Sequence, residues 1–266
     1  MILWIAWCRA VDALHPACRR TRTFLWMVLT LMGLCCRLDL AGVTSYVRVL
    51  GLRPEAYQRF LNLFHCKGLD LDRLTGCWVR LCLALFQPML AGSHLVCLAD
   101  GIKAPKEGRL MPAVKCLHQQ SASNSKPEFI MGHSFQAISL LVQGASGHVA
   151  AVPLTSRIHE GLVFSNRDSR TLLDKLAALP FSITNILERS VLLVADAYYA
   201  SGKLIHQLLA NGHQLVTRAK SNAVAYRPVP TPEHRRRGRP RIYGEKVRLK
   251  ELAQDLAAFT SVPSPV

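Results

Sequence analysis

The stretches Leu95-Val96-Cys97-Leu98-Ala99-Asp100 and Val191-Leu192-Leu193-Val194-Ala195-Asp196 decide the fold of this chain. Each is an apolar run of strand length that ends on an aspartate. The turn residue Gly101 follows the first run, and Ala197-Tyr198-Tyr199 follows the second. A carboxylate directly after a buried strand lies at the rim of a sheet, where a cation can reach it. The two runs therefore predict a sheet with two acidic side chains at its edge.

The two aspartates, Asp100 and Asp196, favour a divalent-metal site suited to phosphate chemistry. Mg²⁺ prefers carboxylate and water oxygens, so aspartates are the expected ligands. Two such ions about 3.5–4 Å apart can activate a water and stabilise the leaving oxygen of a phosphodiester. A site of this kind usually needs a third carboxylate, which the sequence does not obviously supply. The alternative for each aspartate is a strand-end turn or a helix cap, both common for this residue.

The charge balance favours a polyanionic partner. Lysine and arginine number 33 against 17 acidic residues, which gives a formal net charge of +16. An excess of this size indicates nucleic acid or an acidic membrane surface, and nucleic acid is the favoured interpretation. The alternative is a basic but otherwise ordinary enzyme. Half of the residues are hydrophobic, which argues against a generally disordered chain.

The cysteines and the apolar runs exclude several classes of protein. None of the nine cysteines forms a C-x-x-C pair and none follows position 116, so neither a disulfide framework nor a zinc site is predicted. Buried, reduced thiols in a cytoplasmic protein are expected instead. The longest uncharged apolar run, 24–36, is shorter than the roughly 20 residues that a membrane-spanning helix needs. It predicts a buried helix and no membrane partner, with a membrane segment as the less favoured alternative.

The order of elements predicts an α/β fold in three parts. Residues 1–92 repeat apolar positions at helical spacing and predict an all-helical domain, and the basic, proline-rich residues 223–266 are expected to begin an insertion or a tail with a short helix at 245–259. The middle part, 93–222, is predicted to hold three antiparallel strands and then alternating helices and strands. These elements are strands 95–100, 129–142 and 148–153, helix 169–179, strand 190–196, helix 201–211 and strand 213–219.

This order, with acids closing the first and fourth strands, is the ribonuclease-H-like arrangement of a mixed sheet. The first and fourth strands of that arrangement lie side by side. The prediction therefore brings Asp100 and Asp196 together, although they are far apart in the sequence.

Several short motifs resemble those of bacterial insertion-sequence DDE transposases, over about residues 40 to 250. Each motif is weak alone, and the combination carries the resemblance. The region around the first acid is similar in four segments, 99–103, 106–115, 124–126 and 132–133. The region around the second acid is similar in Ala195-Asp196-Ala197-Tyr198-Tyr199. A later similar segment is 237–244.

The resemblance implies DNA transposition with a two-metal site that holds Mg²⁺ or Mn²⁺. Asp100 would bridge both ions and Asp196 would hold one. The third acid of such transposases is a glutamate on a helix beyond the fifth strand, and nothing in 220–266 matches that helix. Glu245 and Glu251 are weak candidates. A truncated chain with strongly reduced or absent catalysis is therefore expected.

The resemblance also implies partners and a location. Double-stranded DNA, as the terminal inverted repeats of the element and as target DNA, would be the substrate. Transposases of this kind act as dimers at synapsed ends, in the bacterial cytoplasm and on its nucleoid.

Two basic clusters are predicted to contact DNA phosphates, with a solvated loop as the alternative for the first. In the second, Arg237-Gly238-Arg239-Pro240 matches the core of an AT-hook, which inserts into the minor groove, and general phosphate contact is the alternative. The N-terminal helices are candidates for recognising element ends, or form a purely structural bundle. The first cluster is Lys103, Lys106, Arg109, Lys115 and Lys126, and the second is Arg235, Arg236, Arg237, Arg239 and Arg241.

Three functions stay open at this point. The first is a DDE transposase, here a fragment. The second is a DNA-binding remnant without catalysis that inhibits an intact transposase. The third is a metal-dependent nuclease unrelated to transposition.

Overall fold

The protein has a mixed α/β fold with a helical N-terminal region and one large mixed sheet. The structure, a computed structural model, describes residues 2–39, 42–106, 108, 111–119, 127–144, 146–158, 172–230, 241–255, 257 and 260. The helices are α1 Ile2–Asp12, α2 Thr21–Cys36, α3 Val43–Val49, α4 Ala56–His65, α5 Leu71–Leu85, α6 Leu172–Leu187, α7 Gly202–Ala210 and α8 Leu249–Leu252.

Five of these helices form the N-terminal region, as the helical spacing of its apolar residues predicts. α4 is amphipathic and buries Phe60, which packs edge-on against Trp26 of α2 and Tyr46 of α3. α5 begins at Asp70, whose side chain accepts a hydrogen bond from the Arg73 N–H at 3.0 Å and so caps the helix. Apolar packing therefore joins α2, α3 and α4, and the cap fixes the start of α5.

Strands of very different length build the sheet. The two longest, β3 and β5, pair with each other along most of their length. The strands are β1 Gln87–Pro88, β2 Leu90–Ala91, β3 His94–Pro105, β4 Lys115–His118, β5 Phe129–Gln143, β6 Val149–Ile158, β7 Val191–Ala195 and β8 Gln214–Thr217, with β9 Val224–Tyr226 and β10 Lys246–Arg248 in a separate pair.

The strand that carries Asp100 lies in the middle of the sheet. β3 pairs antiparallel with β5 on one side and parallel with β7 on the other. β6 continues the sheet beyond β5 in the antiparallel sense, and β8 continues it beyond β7 in the parallel sense. The prediction that the two acid-bearing strands are neighbours is confirmed by the β3–β7 pairing.

One apolar core joins the sheet to α5, α6 and α7. Ile138 and Leu193 of the sheet are fully buried against Ile183 of α6 and Leu204 of α7. Val79 of α5 belongs to the same cluster, so the last helix of the N-terminal region packs on the sheet. The division of the chain at 92/93 and 222/223 stays a prediction, and this core extends across the first of these boundaries.

Polar contacts strengthen the join between α5 and the sheet. The Trp78 indole N–H donates to the Pro153 carbonyl at 2.7 Å, and Arg157 of β6 forms an ion pair with Asp72 at 2.9 Å. Just before the predicted boundary at 92/93, β1 and β2 pair with β5 and β3, respectively.

Several element boundaries differ from the sequence prediction, and β6, for example, continues to Ile158 beyond the predicted end at 153. β3 continues to Pro105, because β5 extends alongside it to Gly132. The prediction that Asp100 closes the strand 95–100 is therefore wrong, since Asp100 lies within β3. A side chain at Gly132 would collide with the Ala104 carbonyl, so glycine permits this close pairing. α6 continues through Pro180 to Leu187, since Pro180 is buried in the core; the first residues of the predicted helix, 169–171, lie outside the described residues.

A further difference from the predicted boundaries lies on the C-terminal side of the chain. The helix predicted over 245–259 is wrong in its first part, because 246–248 pair with 224–226 as β10 and β9. A short helix, α8, follows at 249–252. Pairing satisfies the backbone groups of β10, and no local sequence pattern indicates the partner.

The cysteines are buried only in part. Cys77, Cys82 and Cys97 are buried, as expected, and burial raises the pKa of Cys97 to about 12 and that of Cys82 to about 11. The prediction is wrong for four thiols that lie on the solvent side of their elements, Cys8, Cys35, Cys36 and Cys116. α2 buries one face, through Met27, Thr30 and Gly33.

Among the described residues, no helix combines the length and apolarity that crossing a membrane requires.

We predict that His213 makes the folding stability depend on pH. Its Nδ1 accepts the Val191 N–H at 3.1 Å, and burial, followed by the nearby His94, lowers its pKa. The folded state therefore favours the neutral ring. Stability should be complete above the ordinary pKa of about 6.5 and should fall as the pH drops toward the lower folded pKa.

Urea unfolding between about pH 8 and about pH 5 measures this effect. His213→Asn is the matched variant, since its amide oxygen can accept the same N–H but does not titrate in this range. Its stability should change less with pH than that of the wild type. Parallel curves for the two proteins would assign the pH dependence to other groups.

Candidate functional site

Asp100 and Asp196 lie side by side where the pairing of β3 with β7 ends. The two strands are parallel and Ala99 pairs with Ala195, so the next residue on each side is an aspartate. Asp196 follows the end of β7, whereas Asp100 lies within β3, which continues to Pro105 beside β5. Neighbouring strands lie about 4.8 Å apart, so the two residues are neighbours across the sheet. Both side chains are exposed. The geometry thus has the adjacency that a shared metal site requires.

Local hydrogen bonds orient each carboxylate. Asp100 Oδ1 accepts the Gly101 N–H at 2.7 Å. Asp196 Oδ1 accepts the Tyr198 N–H at 3.0 Å and so caps a 3-10 turn, Ala197–Tyr199. The Thr217 hydroxyl at the end of β8 donates to the Asp196 carbonyl at 2.7 Å. Asp196 therefore has the capping role that sequence reasoning kept as an alternative, and its position at the edge is compatible with both roles.

A buried tyrosine lies beside the two acids. Tyr199 is 2% exposed, and its hydroxyl donates to Gln136 Oε1 at 2.6 Å. Burial, and then the negative charges of Asp100 and Asp196, raise the pKa of Tyr199 well above its ordinary value. The phenol is therefore a neutral hydrogen-bond donor close to both acids.

Sequence reasoning missed this tyrosine and its partner. Tyr199 follows the second acid by three positions, and that short spacing was the available signal. Gln136 carries no signal, because its position depends on the pairing of β5 with β3 opposite Gly101.

The donor set fits one divalent cation. Within the described ranges, hydrogen bonds occupy one oxygen of each carboxylate and leave the other for a ligand role. Mg²⁺ is commonly held by one or two carboxylates, with waters and phosphates completing its shell. Nowhere in the part of the chain that the structure describes do three or more His, Cys, Asp or Glu side chains gather to hold a metal. The second ion of a two-metal site therefore has no full ligand set among these residues.

The two late glutamates lie in other surroundings. Glu245 pairs with Arg227 at 3.5 Å, and Glu251 pairs with Arg248 at 3.1 Å. Both belong to the segment around β9 and β10, which forms a sheet separate from the one that carries the acids.

The predicted DNA-contacting cations are described only in part. Lys103, on β3, is exposed, and its ammonium donates to the His118 carbonyl at 2.6 Å, which leaves further donors for a phosphate. Lys106 and Arg241 are exposed, and Lys115 is half-buried on β4. Six others lie outside the described residues: Arg109, Lys126, Arg235, Arg236, Arg237 and Arg239.

Two further cations lie near the same edge. Arg218 and Lys220 follow β8 directly and are exposed. β8 is parallel to β7, with Thr217 paired to Ala195, so its end lies beside Asp196. Sequence reasoning did not select them, although their position at the end of the predicted strand 213–219 was a usable signal.

Two carboxylates on neighbouring strands are suited to holding a divalent cation for chemistry on phosphate esters. The chain matches the family model described as DDE superfamily endonuclease over residues 13–260. The protein therefore belongs to the DDE superfamily endonucleases.

One solved structure that this chain is similar to is a cryo-EM structure of a piggyBac transposase synaptic complex with hairpin DNA. The identity is 13% and the TM-score 0.35, with 83% of this chain and 45% of that chain covered. The chain thus spans less than half of the length of that transposase. A search of curated proteins finds no match.

We predict that two variants of Asp196 separate its capping role from a role as a metal ligand. Asp196→Ala should lose about 1 kcal/mol of stability, because the Tyr198 N–H loses its acceptor. Asp196→Asn keeps an acceptor and should lose little stability. Urea unfolding without divalent cations measures both.

The same two variants are then melted with and without Mg²⁺. A cation that binds the folded wild type raises its melting temperature, and both variants should lose that increase. If Asp196→Asn keeps the increase in melting temperature with Mg²⁺, Asp196 acts only as a cap and not as a metal ligand.

Proposed function

We propose that this protein is a DDE-type transposase that cuts and joins the DNA of a bacterial insertion sequence. The observation that carries the proposal is the in-register pairing of Ala99 with Ala195, which makes Asp100 and Asp196 neighbours in a DDE family chain. Asp100 and Asp196 would be the first two acids. The strand order β6-β5-β3-β7-β8 supports a ribonuclease-H-like core.

In the proposed reaction, Asp100 and Asp196 would hold Mg²⁺ or Mn²⁺. A bound cation supplies charge stabilisation at a phosphate oxygen and lowers the pKa of a ligating water. The protein contributes fixed geometry. The Thr217 hydroxyl and the 3-10 turn hold the Asp196 backbone, while the Gly101 N–H orients the Asp100 carboxylate.

Exposed cations would bind the DNA on both sides of this pair. Lys103 follows Asp100 on β3 and Lys106 comes directly after that strand, while Arg218 and Lys220 follow the strand beside Asp196. The net charge of +16 supports association with a polyanion. The terminal inverted repeats and target DNA are the proposed substrates, with dimers at synapsed ends and the bacterial cytoplasm as the setting.

The alternative is a non-catalytic DNA-binding protein that inhibits an intact transposase. One observation favours it: the described residues gather two acids at the edge, whereas the proposed chemistry uses three. The predicted truncation and impaired activity belong to this alternative as much as to the transposase, and both stay predictions.

We predict slow, cation-dependent nicking of a plasmid that carries the element ends. Only two acids are in place among the described residues, so the rate should be low. Asp100→Asn should abolish the nicking, because the cation loses a charged ligand. Asp12→Asn, at the exposed end of α1, is the matched control and should nick like the wild type. Nicking is measured on agarose gels with Mg²⁺, Mn²⁺ or EDTA.

The outcomes separate the candidates. Binding of the element ends without nicking by any protein would favour the inhibitor. Nicking that survives Asp100→Asn would refute the proposed site.

We predict that Arg218 and Lys220 each neutralise one DNA phosphate. The logarithm of affinity falls with the logarithm of salt concentration, and each lost contact should reduce that slope by about 1. Arg218→Ala and Lys220→Ala should show this reduction. Arg189→Ala removes an exposed cation just before β7, at the opposite edge of the sheet, and should leave the slope unchanged. Fluorescence anisotropy over a salt series measures the slopes. Equal slopes for all the proteins would show that DNA does not contact this edge of the sheet.

A further inference from the structure

A buried hydrogen bond connects the elements on both sides of the Asp100 strand. Tyr199 lies in the turn that follows β7, and its hydroxyl donates to Gln136 of β5 at 2.6 Å. β3 lies between β7 and β5 in the sheet. The bond therefore crosses the middle strand and ties the turn after the second acid to the strand on the far side of the first.

The crossing point is one residue past Asp100. Gln136 pairs with Gly101 in the β3–β5 register. A side-chain carbon at Gly101 would lie 3.3 Å from the Tyr199 hydroxyl and 3.3 Å from Gln136 Nε2. Glycine leaves the space that these two polar groups occupy.

The turn transmits the position of the ring to the second acid. The Tyr199 N–H donates to the Asp196 carbonyl at 3.1 Å, and Asp196 Oδ1 accepts the N–H of the intervening Tyr198. Movement of the Tyr199 ring would therefore move the Asp196 carboxylate relative to Asp100.

Burial makes the Tyr199–Gln136 hydrogen bond costly to break. Gln136 is 4% exposed and Tyr199 is 2% exposed, so water cannot readily replace either partner. A buried polar group that loses its partner is costly, which holds the phenol in one position. An apolar side chain would fill the same space without directing the turn.

We propose that Tyr199 is a positioning residue that, through Gln136, sets the separation of Asp100 and Asp196 for a shared divalent cation. This inference rests on the proposed function of the acid pair. It assigns no contact between Tyr199 and the substrate. The Tyr199 hydroxyl, and not only the ring, determines how tightly the two acids bind a cation.

The test measures Mn²⁺ binding to the full chain by the electron paramagnetic resonance signal of free Mn²⁺. Tyr199→Phe removes only the hydroxyl, and Gln136→Met removes its acceptor at similar volume. Each variant should raise the dissociation constant about tenfold, as is typical when a group that supports a metal ligand is lost. The double variant should bind no more weakly than either single one, because both remove the same bond.

Two controls match these variants. Tyr198→Phe removes a hydroxyl from the neighbouring, exposed tyrosine and should bind Mn²⁺ like the wild type. Ile183→Val trims a fully buried side chain of α6 and lowers the melting temperature without touching the Tyr199–Gln136 bond. It should also leave the dissociation constant unchanged. A loss of binding in Ile183→Val equal to that in Tyr199→Phe would show general destabilisation and overturn the proposal.

The outcomes distinguish this inference from the proposed function. If Asp100→Asn abolishes Mn²⁺ binding while Tyr199→Phe and Gln136→Met bind like the wild type, the positioning role is wrong and the acid pair stands. If Asp100→Asn and Asp196→Asn bind Mn²⁺ as tightly as the wild type, or the wild type binds none, the proposed site itself is wrong.

Discussion

The parallel pairing of β3 with β7 is the constraint on which the rest of the structure depends. Parallel neighbours need a crossover connection, and α6 lies between β6 and β7 in the chain and packs on the core face of the sheet. The apolar residues Cys97 and Leu193 fix the register, because a shift by one position would expose them. Two aspartates that are distant in the sequence thereby become neighbours at one edge.

The surroundings of the two carboxylates supply neutral hydrogen-bond donors. Backbone N–H groups reach one oxygen of each aspartate, and Tyr199 stays protonated beside them. A divalent cation at this position would be attracted by both negative charges.

The apolar runs and the order of elements predicted the sheet and the adjacency of its two acids, because both depend on local pattern and on simple rules of connection. Contacts set by long-range register were not predictable in this way. Gln136 reaches Tyr199 only through the β3–β5 pairing, and β10 formed a strand only because β9 lies opposite. Pro180 misled the prediction of the end of α6, since core packing outweighs the local preference against proline. The domain limits and the cations outside the described ranges stay predictions.

The burial of Val79 and Cys82 in the core of the sheet has a consequence for how such a protein can diversify. A helical region joined by a linker can be exchanged between relatives as a cassette. Here α5 supplies part of the apolar surface against which the sheet packs. Replacing the N-terminal region without a matching helix would therefore expose the core of the sheet. Recombination that preserves folding should therefore retain α5 with the sheet and place its crossover points before Leu71.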